Sequence, residues 1–196
     1  MRKSKAETAE TRKRIVAVAS SVFPRRGLSG AGVGDVMEAA GMTLGGFYRH
    51  FESKEQLIAE ASEAAFREFV AASDAAVAGK PPREALEIIV RIYLHQLEVC
   101  DGHGLCPLAN LASELRHADP QIRAVADAGY ARMVRRFGSY LAQLAVRDCR
   151  RVAEAIVTTI VGAVALSQLG SDQAAREAIL ANAEDTVRLL VDSGIA

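Results

Sequence analysis

The run from Ala40 to Leu57 constrains this 196-residue chain more than any other stretch. A helix-periodic apolar segment ends at Gly41, a short polar and aromatic segment follows through His50, and Ser53 opens another helix. Glycine supplies the positive φ that a tight turn between helices needs. The spacing is that of a helix-turn-helix, whose second helix enters the major groove of DNA. Upstream, Ile15, Val18, Ala19, Val22 and Phe23 recur as one apolar stripe that Gly27 ends. Val33, Val36, Met37 and Ala40 repeat the pattern. Thr43 stands where its hydroxyl can cap a third helix. Ser53 and Gln56 have capping-box spacing for a fourth, which the pattern carries to Ala78.

The segment from Thr11 to Ala61 resembles the DNA-binding domain of the TetR/AcrR family of one-component repressors. Gly27, Asp35-Val36, Ala39 to Gly41, Phe47 to Phe51 and Lys54 to Leu57 carry the likeness. The resemblance implies an all-α homodimer. Its N-terminal three-helix DNA-binding domain would span 1–53. A helical ligand-binding and dimerisation domain would span 54–196 and release the DNA when a small-molecule inducer enters it. Two departures stand out. Gly30-Ala31-Gly32 lacks the hydroxyl residue that commonly meets a phosphate before the second helix, and the recognition helix begins Leu44-Gly45-Gly46. Glycine inside a helix costs about 1 kcal/mol relative to alanine, and local inconsistency of this kind often marks a functional site. Without side chains at Gly45 and Gly46 the backbone can approach DNA, while Leu44 can meet a thymine methyl. Thr43 and Leu44 are assigned to base edges, and Tyr48, His50, neighbouring Arg49 and the Lys54 point charge to the backbone of duplex DNA.

Charge agrees with this division. The formal net charge is zero, yet residues 1–54 carry ten Lys/Arg against five Asp/Glu, and the rest fourteen against nineteen. A basic module releases condensed counterions from DNA, and an acidic remainder discourages non-specific binding. No apolar run reaches the roughly 20 residues of a membrane span, and the charged N-terminus lacks the apolar core of a secretory signal. The expected location is the cytoplasm, with no membrane and no cofactor.

Helical patterning continues to the C-terminus. Leu86, Ile89, Val90, Tyr93, Leu94 and Leu97 form one face, Pro107 starts a helix through Arg116, and Asp119-Pro120 starts a long one. The last two helices, 151–169 and 172–192, are apolar over wide arcs with Ile160 near the centre. Arcs of that width are buried on several sides, either in the chain's own core or, as the resemblance suggests, in a two-fold dimer that suits a palindromic operator. Tyr93, Leu97, Asn110, Tyr130, Met133 and Phe137 are candidates for an inducer cavity, or for plain core.

Cys106 precedes Pro107, so its thiol lies at a helix start where thiolate is favoured, with Cys100 as a possible resolving partner. The segment from Gly104 to Glu114 is also similar to the cysteine-bearing segment of NemR-type electrophile-responsive repressors. A packed, inert Cys106 is the alternative. Cys100, His103 and Cys106 have soft-ligand spacing but no fourth ligand nearby. An enzyme using Cys106 with His103 or His95 lacks a local signature and leaves the helix-turn-helix unexplained. Cys149 reads as structural. An architectural DNA-binding protein without a ligand is the remaining alternative class.

Overall fold

The computed structural model describes residues 5–96 and 106–194. Every element among them is helical: α1 (Lys5–Arg26), α2 (Val33–Ala39), a 3₁₀ recognition helix (Leu44–Arg49), α3 (Lys54–Val77), α4 (Pro82–Leu94), α5 (Pro107–Asn110), α6 (Ala112–Leu115), α7 (Pro120–Gln143), α8 (Cys149–Ser167) and α9 (Gln173–Gly194). No helix among the described residues is long and apolar enough to cross a membrane.

The chain forms two compact units. The first reaches Phe69 and takes in a later segment that ends at Ala126. It is therefore larger than the 1–53 segment read from the sequence. Its core explains why: Ile15, Phe23, Met37, Phe47 and Ile58 share one buried cluster with Leu111 and Ile122 from the later segment. The stripe read on α1 is buried at Ile15, Ala19 and Phe23, with Val18 and Val22 at its edge. Gly27 ends α1 at φ +78°. At the end of α2, Gly41 (φ +70°) donates to the Glu38 carbonyl at 2.8 Å, and Met42 donates to the Met37 carbonyl at 2.8 Å. This pair of bonds is the Schellman closure that a left-handed glycine permits.

Four local expectations change. Thr43 occupies the N-cap position of the recognition helix without making a side-chain cap bond. The helix itself is 3₁₀, the tighter form in which short, weakly propagating segments settle. The capping box opening α3 is offset by one residue: Ser53 Oγ accepts the Gln56 N–H at 3.1 Å, and Gln56 Oε1 accepts from the Glu52 N–H at 2.7 Å. The helix expected from Pro107 to Arg116 breaks at Leu111 (φ −120°, ψ 8°) into two single turns.

In the second unit, α4 packs on α8 and α9, which lie against each other along their lengths. Asp119 and Asp172 cap α7 and α9 through bonds to the N–H groups of Gln121 and Ala175, both 2.8 Å. Between α7 and α8, Arg147 donates to the Gly194 carbonyl at 2.8 Å. The inward line of α8 comprises Ala153, Ile156, Val157, Ile160, Ala163 and Val164. Ile160, placed by sequence at the centre of a dimer contact, is 0% exposed within the single chain. It belongs to the core of its own chain, because a 3.6-residue period cannot show which of two broad faces turns inward. The large apolar residues left exposed here include Leu166 on α8, Leu189 on α9 and Leu169 in the turn between them.

Candidate nucleic-acid interface

The recognition helix is amphipathic at the scale of single residues. Phe47 is buried, while its neighbours Leu44 and Tyr48 are 57% and 78% exposed. Thr43, Gly45 and Arg49 are exposed as well, and Gly46 is half-buried. The helix is held from beneath by aromatic packing. The Phe47 ring stacks on Phe51 at 5.5 Å and meets Tyr48 edge to face at 5.1 Å. Tyr48 is thus largely exposed, with an edge-to-face ring contact made by the buried Phe47.

The far end of the helix is tied to α1. Arg12 donates through Nε to the His50 carbonyl at 3.1 Å, and its guanidinium lies 4.6 Å from the centre of the Phe51 ring. The same guanidinium forms a two-point pair with Glu60 of α3, one arm at 2.6 Å. One planar cation thus joins three elements around the base of the recognition helix, a geometry arginine suits and lysine does not. The sequence reading missed Arg12. Its signal was its place three residues before Ile15, on the edge of the apolar stripe, where a charge needs a partner.

Of the residues expected to meet DNA, Thr43, Leu44, Gly45, Tyr48 and Arg49 share one exposed short stretch. His50 is half-buried at the C-cap, its ring near Phe51 and its carbonyl bound by Arg12. Lys54, expected as a point charge toward the DNA backbone, is half-buried, and its ammonium donates to the Leu28 carbonyl at 2.6 Å. Proximity in sequence to the motif did not reveal that internal acceptor. Gly45 and Gly46 are not demanded by the fold: neither has a positive φ, a Cβ on Gly45 would meet nothing within 4 Å, and one on Gly46 would make only ordinary contacts.

The candidates for a signal site fall in both compact units. Tyr93, Met133 and Phe137 are buried in the second unit, and Tyr130 is half-buried there. Asn110 belongs to the first unit, where Nδ2 donates to the Cys106 carbonyl at 2.9 Å. Leu97, Cys100 and His103 lie outside the described residues. Cys106 does occupy the N-cap of α5, but it is 0% exposed, makes no side-chain cap bond, and heads a helix of only four residues. Burial withdraws the thiol from solvent, and one turn of helix supplies little dipole to favour thiolate. The Cys149 thiol donates to the Val146 carbonyl at 2.9 Å.

An exposed, aromatic-braced recognition helix following a glycine turn defines a helix-turn-helix module joined to a larger helical body. A model of bacterial regulatory proteins of the tetR family matches residues 15–61, and one of the C-terminal domain of LmrA/YxaF-like transcriptional regulators matches residues 82–182. The chain belongs to the tetR family of bacterial regulatory proteins. It is 34% identical over 97 residues to the HTH-type transcriptional regulator AcrR of Shigella flexneri, an alignment covering 50% of this chain and 45% of that protein. It thus spans about half the length of the curated relatives it matches. Among solved structures, a TetR transcriptional regulator from Chloroflexus aurantiacus superposes with a TM-score of 0.77 at 29% identity, over 93% of this chain and 96% of the other. The reduced form of NemR from E. coli shares the fold, with a TM-score of 0.72 at 18% identity over 90% and 96% of the two chains.

Proposed function

We propose that this chain is a transcriptional repressor of the cytoplasm that binds a palindromic duplex operator as a homodimer and is released by a small-molecule inducer. The carrying observation is the exposed face Thr43, Leu44, Gly45, Tyr48 and Arg49 on a helix anchored by Phe47 and Phe51. In this reading Leu44 and Thr43 meet base edges, while Tyr48 and Arg49 donate to phosphates. The half-sites then present successive major grooves, about 34–36 Å apart or a multiple of that. Selection of duplexes from a randomised pool, followed by titration at several salt concentrations, tests the reading. It predicts a two-fold symmetric consensus and affinity that falls steeply with salt. Recovery of no preferred sequence would leave an architectural DNA-binding protein in its place.

Gly45 gives this reading its sharpest local test. The fold leaves room for a methyl group there, so Gly45→Ala should stabilise the protein by about 0.4–1 kcal/mol. If the glycine exists to let the backbone approach DNA, the same substitution should weaken operator binding by about 1–3 kcal/mol, the scale of one base contact. Melting temperature and operator affinity then move in opposite directions. A variant that is more stable and binds equally well would show that the glycine is merely tolerated.

A further inference from the structure

The loop between α1 and α2 is held from two sides. Both oxygens of Glu114, on α6, accept backbone N–H groups of the loop: Leu28 at 2.9 Å and Ser29 at 2.8 Å. From α3, the Lys54 ammonium donates to the carbonyl of the same Leu28 at 2.6 Å. The loop is shaped to accept this grip. Gly27 has φ +78°, and a Cβ there would come within 2.5 Å of Glu114 Oε1. Gly30 folds back so closely that a Cβ would stand 2.2 Å from the Arg26 carbonyl oxygen. The loop leads directly into α2, the first helix of the helix-turn-helix, whose packing on the recognition helix passes the position on.

Glu114 lies inside the match to the C-terminal domain, residues 82–182, yet its carboxylate grips the loop of the DNA-binding module within the first compact unit. The two bonds lie beside an open groove of about 390 Å³ lined by Ser29, Lys54, Glu114 and His117 among others. Charge-assisted bonds there compete with water, so the grip can be made and broken without opening the core.

We propose that Glu114 is a positioning residue for DNA recognition, through which the chain of the C-terminal domain sets the loop that launches the helix-turn-helix. This rests on the DNA-binding reading above. The carboxylate touches no DNA in this proposal; it fixes the backbone from which α2 starts.

The test uses the full-length protein, Glu114→Ala and Glu114→Gln, with the selected operator and a random-sequence duplex of equal length. Operator affinity should fall by about tenfold in Glu114→Ala, the size of one charge-assisted hydrogen bond. Affinity for the random duplex should not fall, and the salt slope should not change, because no phosphate contact is lost. Glu114→Gln keeps the size but turns a donor toward one of the two N–H groups, so it should reproduce most of the loss. Amide exchange at Leu28 and Ser29 should rise in Glu114→Ala while exchange at Val36, inside the core, stays as in the wild type. An Ala variant that discriminates the operator as well as the wild type, or that loses both duplexes equally with a lowered melting temperature, overturns the role. A wild type that prefers no sequence overturns the DNA-binding reading and this role together. Unchanged exchange at the two amides overturns the grip itself.

Discussion

Replacing Leu166 and Leu189 together with glutamate is expected to give a folded, helical protein that no longer holds its operator. The two leucines are 55% and 70% exposed, on helices α8 and α9 that pack against each other, and Leu169 nearby is 79% exposed. Large apolar side chains in such positions have little to contribute to their own chain, and in the proposed dimer a second copy covers them. Charges there cost the monomer little. Separating the protomers removes the gain from binding two half-sites at once, typically a factor of about 10²–10⁴. Light scattering should report monomers, circular dichroism unchanged helicity, and operator titration a loss of at least about 100-fold. Ile160→Glu should behave differently: at 0% exposure it puts a charge in the chain's own core, where an unpaired charge costs several kcal/mol, and the expected result is loss of the fold. A double-leucine variant that stays dimeric and keeps its affinity would place the interface elsewhere.

The contrast between Ile160 and Leu166 shows how far sequence reaches in this protein. Apolar periodicity located the long helices, as at α8, expected from 151 and found from Cys149, but not the break at Leu111 that divides the segment after Pro107. Helix ends were legible because their chemistry is local: Gly27 and Gly41 take positive φ, and Asp119 and Asp172 cap the helices that follow them. What periodicity does not carry is direction. A helix that is apolar over a wide arc gives no sign of which part meets its own chain. The recognition helix was legible because a short polar and aromatic segment follows the glycine turn at Gly41. Its 3₁₀ form was not, since six residues with two glycines fix no period. Partners distant in sequence were also hidden. Nothing near Lys54 announces Leu28, and nothing near Leu28 announces Glu114, 86 positions away.

Arg12 is the distant-partner case with the largest expected cost. Arg12→Ala removes the bond to the His50 carbonyl, the stacking on Phe51 and both arms of the pair with Glu60. The Arg12 and Glu60 side chains are 36% and 32% exposed, so the ion pair alone is screened and contributes about 1 kcal/mol or less. The carbonyl bond and the cation–π contact raise the expected total loss to about 2–3 kcal/mol. Arg12→Lys should recover less than half of that, because one ammonium cannot reach the carbonyl, the ring and both carboxylate oxygens in a fixed plane. DNA binding should suffer beyond the fraction unfolded. His50 and Phe51 close the recognition helix, and once released that end samples orientations that the operator does not accept. Urea unfolding followed by circular dichroism measures the first effect. Operator titration at a temperature where the variant is still folded measures the second. An Arg12→Ala protein within about 0.5 kcal/mol of the wild type, the range of an ordinary surface substitution, would mean that Phe47 and Phe51 anchor the recognition helix without help from α1.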